Sequence, residues 1–146
     1  AQILEKEYGV PADVYSVTSF SELRREALEI DRWNRLHPGE KPRVPYVAEL
    51  LKNCTGPVVA ATDYMRTVPD QIRQWVPGKY VTLGTDGYGR SDSRAALRQH
   101  FEVDRSHIVL AALSALADEG KIDRATVTKA IRALGIDPNK PDPMKS

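Results

Sequence analysis

The 146-residue chain is short of most features that assign a class at sight. Its one cysteine, Cys54, can neither close an internal disulfide nor build a zinc site, a usage that fits a reducing cytoplasm. Neither sign of charge is in excess: 21 Lys and Arg stand against 20 Asp and Glu, a formal charge of +1. No general field therefore draws the chain to nucleic acid, an anionic membrane or a polyanionic substrate. Charged residues at 28% with almost no net charge argue against wholesale disorder. Long apolar runs are missing too. The longest, Ile108 to Ala117, is interrupted by Ser114 and is too short to span a bilayer. There is no charged-then-apolar leader, no internal repeat and no low-complexity tract. An initiating Met and a first helix cap are also lacking. Ala1 to Tyr8 reads as helix interior, stopped by Gly9 with Pro11 just beyond, so the sequence is expected to be the tail of something longer.

What is present alternates strand with helix. Ala12 to Thr18 alternates Val and Tyr with polar residues, as a short strand does. Ser19 and Glu22 have the spacing of a capping box, opening a helix with Leu23, Ala27, Ile30 and Trp33 on one face. Pro45 suits the first turn of another helix over Tyr46 to Lys52. Val58 to Ala61 is an apolar run of the kind found in buried parallel strands, and Lys79 to Gly84 reads as a third strand. A helix broken by Pro69 lies between them. Asp92 or Ser91 is placed to cap a helix reaching Phe101, Asp104 a helix over Ser106 to Glu119, and Asp123 the last, which ends at Gly135. The expected fold is therefore α/β: a small, mostly parallel sheet flanked by helices in three layers, with its first strand missing. Residues 1–136 form that domain, and 137–146, with three prolines and little apolar surface, a loose polar tail.

The segment from Gly84 to Asp92 is the leading candidate site. Ligands in open parallel sheets bind beyond the C-terminal ends of strands, where this loop belongs. Gly84, Gly87 and Gly89 let backbone N–H groups approach a ligand, and Arg90 and Arg94 match an anion. The anion-binding candidates are Asp86, Gly87, Gly89, Arg90, Ser91 and Arg94. The loop is neither a dinucleotide fingerprint nor a P-loop. Arg90, Arg94 and Arg98 make a row that reads first as a solvated face. His100 and His107 have no spaced partners that would complete a metal site. Cys54 has no neighbouring base, and Trp33 and Trp75 read as core aromatics. Residues Val109 to Gly135 imitate a helix-turn-helix but carry no basic cluster for phosphate contacts.

Longer strings carry a resemblance. Thr62-Asp-Tyr-Met-Arg66, Val76 to Asp92, Phe101-Glu-Val-Asp104, Trp33-Asn34, His37-Pro38 and Pro42 to Tyr46 closely resemble the C-terminal end of the bacterial homodimeric pyruvate dehydrogenases, which are transketolase-like. The resemblance covers essentially the whole chain. It implies a transketolase C-terminal-like domain of a subunit that decarboxylates pyruvate oxidatively with thiamine diphosphate and Mg²⁺ and passes the acetyl group to a lipoyl group. The implied partners are upstream domains of the same subunit, a homodimer partner and the dihydrolipoyl acetyltransferase core, in the cytoplasm. Nucleic acid and membrane are not expected partners. The family's metal motif opens Gly-Asp-Gly, whereas Thr85-Asp86-Gly87 has the wrong first residue and the next Asn, Asn139, is far too distant. The chain alone is thus expected to hold no cofactor, no metal and no catalytic residue, and to be inactive. Its loop is expected near the parent's substrate entrance. The alternatives are a free-standing module docking to the acetyltransferase core, or a regulatory domain sensing an anion or nucleotide.

Overall fold

Among the described residues, 1–145 of a computed structural model, the elements run in the order α1 (Gln2–Tyr8), α2 (Phe20–Leu36), α3 (Tyr46–Leu51), β1 (Val58–Ala61), α4 (Thr67–Asp70), β2 (Tyr80–Leu83), α5 (Arg94–His100), α6 (Arg105–Asp118) and α7 (Arg124–Ala133). A 3-10 turn at Arg73–Trp75 follows α4. The two strands pair in parallel, Val58 opposite Tyr80 and Ala61 opposite Leu83. Successive strand residues point to opposite faces, so Val58, Ala60 and Tyr80 share one. They pack with Val47 and Leu51 of α3, with Ile72 and Val76, and with Phe20, Leu23 and Trp75. The opposite face is covered by α6, which touches both strands. Behind α6, Leu4, Val109, Leu113 and Ala130 join α1, α6 and α7 in a second core. The result is the three-layer α/β arrangement the sequence predicts.

Polar clips fix the outer layer. Asp31 on α2 accepts the Trp75 indole N–H at 3.0 Å, and the Glu26 carboxylate accepts the free N–H of Tyr46 at the start of α3. Asn34 exchanges two hydrogen bonds with the Arg43 backbone, at 2.9 and 2.8 Å, while the Arg43 guanidinium lies 3.7 Å over the Trp33 ring. The His37 ring stacks on Trp33 with centroids 4.4 Å apart. Trp33 is therefore half-buried in a cationic sandwich and lies outside both apolar cores. Tyr80 is buried and donates its hydroxyl to the Pro69 carbonyl at 2.9 Å; burial, helped by Asp70, pushes its phenol up to about 12.

The strand count and one helix cap also differ from the sequence reading. The sheet has two strands. Ala12 to Thr18 runs without regular structure, with Val14 78% and Tyr15 52% exposed. Alternation describes which face a strand shows, but a strand also needs a neighbour for its backbone groups. Ala12–Thr18 has none among the described residues, and β1 is paired on one edge alone. The cap of α5 is Ser93, whose hydroxyl accepts from Ala96 N–H at 3.3 Å; Asp92 bonds the Ser93 N–H and Ser91 caps nothing. Asp104 and Asp123 cap α6 and α7 as expected, accepting from His107 and Ala125 N–H, each at 2.9 Å.

Candidate functional site

Two loops leave the C-terminal ends of the strands side by side. A Thr62 N–H bond to the Leu83 carbonyl, at 3.1 Å, carries the pairing past β1. Gly84 then lets the loops touch: a Cβ there would sit 2.5 Å from the Arg66 nitrogen and 2.7 Å from the Tyr64 oxygen. Thr85 seals the contact, its N–H on the Tyr64 carbonyl at 2.9 Å and its hydroxyl on the Asp63 carbonyl at 3.0 Å. Asp86 turns inward, accepting from the Arg66 backbone N–H at 3.1 Å and pairing with its guanidinium at 3.2 Å. It is a strut between the loops, its charge paired with Arg66.

The C-terminal segment meets the same loop. Gly87 has φ +125, and a Cβ on it would lie 2.4 Å from the Pro143 oxygen, so glycine is required on two counts. Lys140 donates to the Gln99 carbonyl at 3.2 Å and the His100 carbonyl at 2.5 Å, and pairs with Glu102 at 3.3 Å. Those carbonyls end α5, where the helix dipole and unpaired acceptors favour an ammonium. The tail expected to be loose is thus held at two points, with Pro143 buried; its last residue, Ser146, lies outside the described residues.

The arginine row divides. Arg98 donates to the two oxygens of Asp63 at 3.0 and 2.7 Å, and Arg94 reaches the same carboxylate at 3.3 Å. The Arg98 hydrogen bonds, with help from Arg94, hold the Asp63 carboxyl below the ordinary aspartate range, and the Arg98 guanidinium is raised in turn. A lowered carboxyl stabilises the fold above its unfolded titration range, and that stability is lost as pH falls through its folded one. Because the groups are about half exposed, Asp63→Asn is expected to cost only about 1 kcal/mol. The loss should shrink in high salt, as read from urea midpoints at two ionic strengths.

Arg90 is left without a carboxylate partner among the described residues. With Ser91, Asp92, Ala96, Leu97 and His100 it lines an open pocket of about 330 Å³. His100 sets its ring edge-on to Phe101, centroids 4.8 Å apart, and its Nε2 is sealed from solvent without a hydrogen-bond partner. Burial, then Arg90 and Lys140, lower its pKa from the ordinary 6.5, against an opposing pull from Glu102. Of the sequence candidates, Arg90 and Ser91 line the pocket together. Asp86, Gly87 and Arg94 are occupied in holding the loop, and a Cβ on Gly89 would meet nothing within 4 Å. Sequence reasoning missed Asp63 and the role of His100. Asp63 is legible in sequence only within the Thr62–Arg66 string, and His100 reads there as a surface or interface histidine rather than a metal ligand.

The donor set does not suit a metal-bound diphosphate. Asp86 is committed to Arg66, and among the described residues no three His, Cys, Asp or Glu side chains gather where they could hold an ion. His37 bonds the Trp33 carbonyl and His107 the Asp104 carboxylate, each in its own corner. No helix among the described residues is long and apolar enough to cross a membrane.

Comparison with known proteins places this geometry. The transketolase-like TK C-terminal domain family matches residues 1–104, from α1 through the pocket to the cap of α6. The pyruvate dehydrogenase E1 component of Pseudomonas aeruginosa is 58% identical over 145 residues, 99% of this chain and 16% of the relative. The protein of the same name from Escherichia coli is 54% identical over 144 residues, 98% of this chain and 16% of its own length. That of Mycobacterium tuberculosis is 50% identical over 137 residues, 94% of this chain and 15% of the relative. The chain therefore spans about a sixth of the curated relatives it matches.

Proposed function

This chain belongs to the transketolase-like C-terminal domain family, and from that premise we propose that it is the C-terminal part of a pyruvate dehydrogenase subunit. The observation that carries the reading is identity of 58% spread across 99% of the chain to a protein of that name. The reaction assigned to the whole subunit is oxidative decarboxylation of pyruvate with transfer of the acetyl group to a lipoyl group. Thiamine diphosphate with Mg²⁺ is the cofactor of that chemistry, and the residues present here do not form a site for it. No catalytic step is therefore assigned to this chain. Its contribution is to support the subunit: residues 1–136 form the domain, and the tail braces its glycine loop.

The face toward the rest of the subunit is the one with the two loops. Tyr64 at 70%, Met65 at 56% and Tyr88 at 73% exposure stand there, with Met144 of the tail beside Gly87. Large apolar side chains grouped this way mark a surface that is covered by another body. The unpaired edge of β1 is suited to a further parallel strand, and Val14 and Tyr15 are exposed elsewhere on the chain. The expected partners are upstream domains, a second subunit and the acetyltransferase core, in the cytoplasm.

The test is the native polypeptide. An antibody to this chain should detect a band several times heavier than 16.3 kDa in source-cell extract. Protein captured with that antibody should show pyruvate-dependent activity that requires added thiamine diphosphate and Mg²⁺. A band near the chain's own mass, without activity, would overturn the reading and favour a free-standing docking module. In the active subunit, Arg90→Ala with unchanged kinetics toward pyruvate and the lipoyl domain would remove the loop from the substrate entrance.

A further inference from the structure

Three basic groups from three segments meet at one corner: Arg90 from the glycine loop, His100 from the last turn of α5, and Lys140 from the tail. Lys140 is satisfied by two carbonyls and Glu102. Arg66, Arg94 and Arg98 each have a carboxylate. Arg90 has none among the described residues, and the Ser91 hydroxyl beside it makes no hydrogen bond among them. Both line the open pocket, with Ala96 and Leu97. Asp92 also lines it, its carboxylate accepting from the Ser93 N–H at 2.6 Å and keeping a negative charge that an anion must face across the pocket from Arg90.

We propose that this pocket is a proton-coupled oxyanion site, in which a phosphate-type or carboxylate anion sits between the Arg90 guanidinium and the Ser91 hydroxyl while His100 takes up a proton. An unpaired guanidinium and a free hydroxyl are the donors an oxyanion needs. The groups facing His100 set the coupling. Arg90 and Lys140 oppose its protonation, Glu102 favours it, Asp92 shares its pocket and Phe101 presents a neutral ring edge. An anion on Arg90 cancels the field of the loop cation, so the imidazolium is favoured when the site is filled. By linkage the anion binds more tightly with His100 charged, and affinity falls as pH rises through the range in which His100 titrates. This inference stands on the pocket alone and does not depend on the pyruvate dehydrogenase reading.

The chain has three histidines, so three Cε1–H proton resonances report the test directly. Sulfate is the probe, because its charge is constant across the range, and chloride at equal ionic strength is the reference. Sulfate should raise the His100 midpoint by about half a pH unit, a roughly threefold gain in affinity on protonation. His37 and His107 should stay in place and certify the fold. Arg90→Gln should raise the His100 midpoint without sulfate and abolish the response to it. An acetate arm that reproduces the shift assigns a carboxylate ligand; a response confined to sulfate assigns a phosphate-type one. The proposal is overturned if His100 ignores both anions, if all three histidines move together, or if Arg90→Gln responds like the parent sequence.

Discussion

Gly84→Ala is expected to cost about 2–3 kcal/mol and to lower the melting temperature by roughly 5–10 °C. A methyl group there would enter space already held by the Arg66 nitrogen at 2.5 Å, the Tyr64 oxygen at 2.7 Å and the Met65 carbonyl carbon at 2.9 Å. All three are backbone atoms, so no side chain can swing aside. Relief requires the two loops to part, which stretches the bond from Thr85 N–H to the Tyr64 carbonyl and the grip of Asp86 on Arg66. The damage should therefore reach the pocket as well as global stability. Gly89→Ala is the control, since Gly89 has nothing within 4 Å of its would-be Cβ and no left-handed backbone. Thermal unfolding of the two variants side by side checks the argument. Equal melting temperatures would mean that the loops are not in contact.

How much of this corner was legible beforehand depends on the range of each interaction. Asp104 and Asp123 were readable as caps because a cap is satisfied within three residues of itself. The cap of α5 was misplaced by a residue or two because Ser91, Asp92 and Ser93 are all competent, and local chemistry does not choose among them. Val58 to Ala61 declared itself by composition, while Ala12 to Thr18 had the pattern of a strand and no neighbour to pair with. Asp63 and Arg98 lie 35 residues apart, and nothing short of the fold says that one carboxylate holds two of the three arginines in the row. The same pairing is what singles out Arg90. The tail's prolines and polarity do not reveal that one lysine at the right helix end and one proline against a glycine meet the domain.

Leu113→Ala should have the largest effect of any single change, a loss of about 3–4 kcal/mol. Leu113 is fully buried on α6, in the cluster with Leu4 of α1 and Ala130 of α7, and the same helix covers the second face of the sheet. Truncation loses the transfer energy of the removed carbons and leaves a cavity between three helices that cannot all close on it. Helix propensity works in the opposite direction, because alanine is at least as good a helix former as leucine. Any loss therefore reports packing, and Leu28→Ala on α2, where leucine is 39% exposed, should be nearly neutral. Urea unfolding followed by far-UV circular dichroism separates the two. With net stabilities of about 5–15 kcal/mol for typical domains, a deficit of this size also moves the balance between folded and unfolded chain by two orders of magnitude or more. The loops and pocket are not touched by Leu113, so a variant rescued by lower temperature should recover the sulfate response of His100 intact. That recovery would place the anion site in the loop–tail corner and the stability in the α1–α6–α7 core, as two separable properties of one domain.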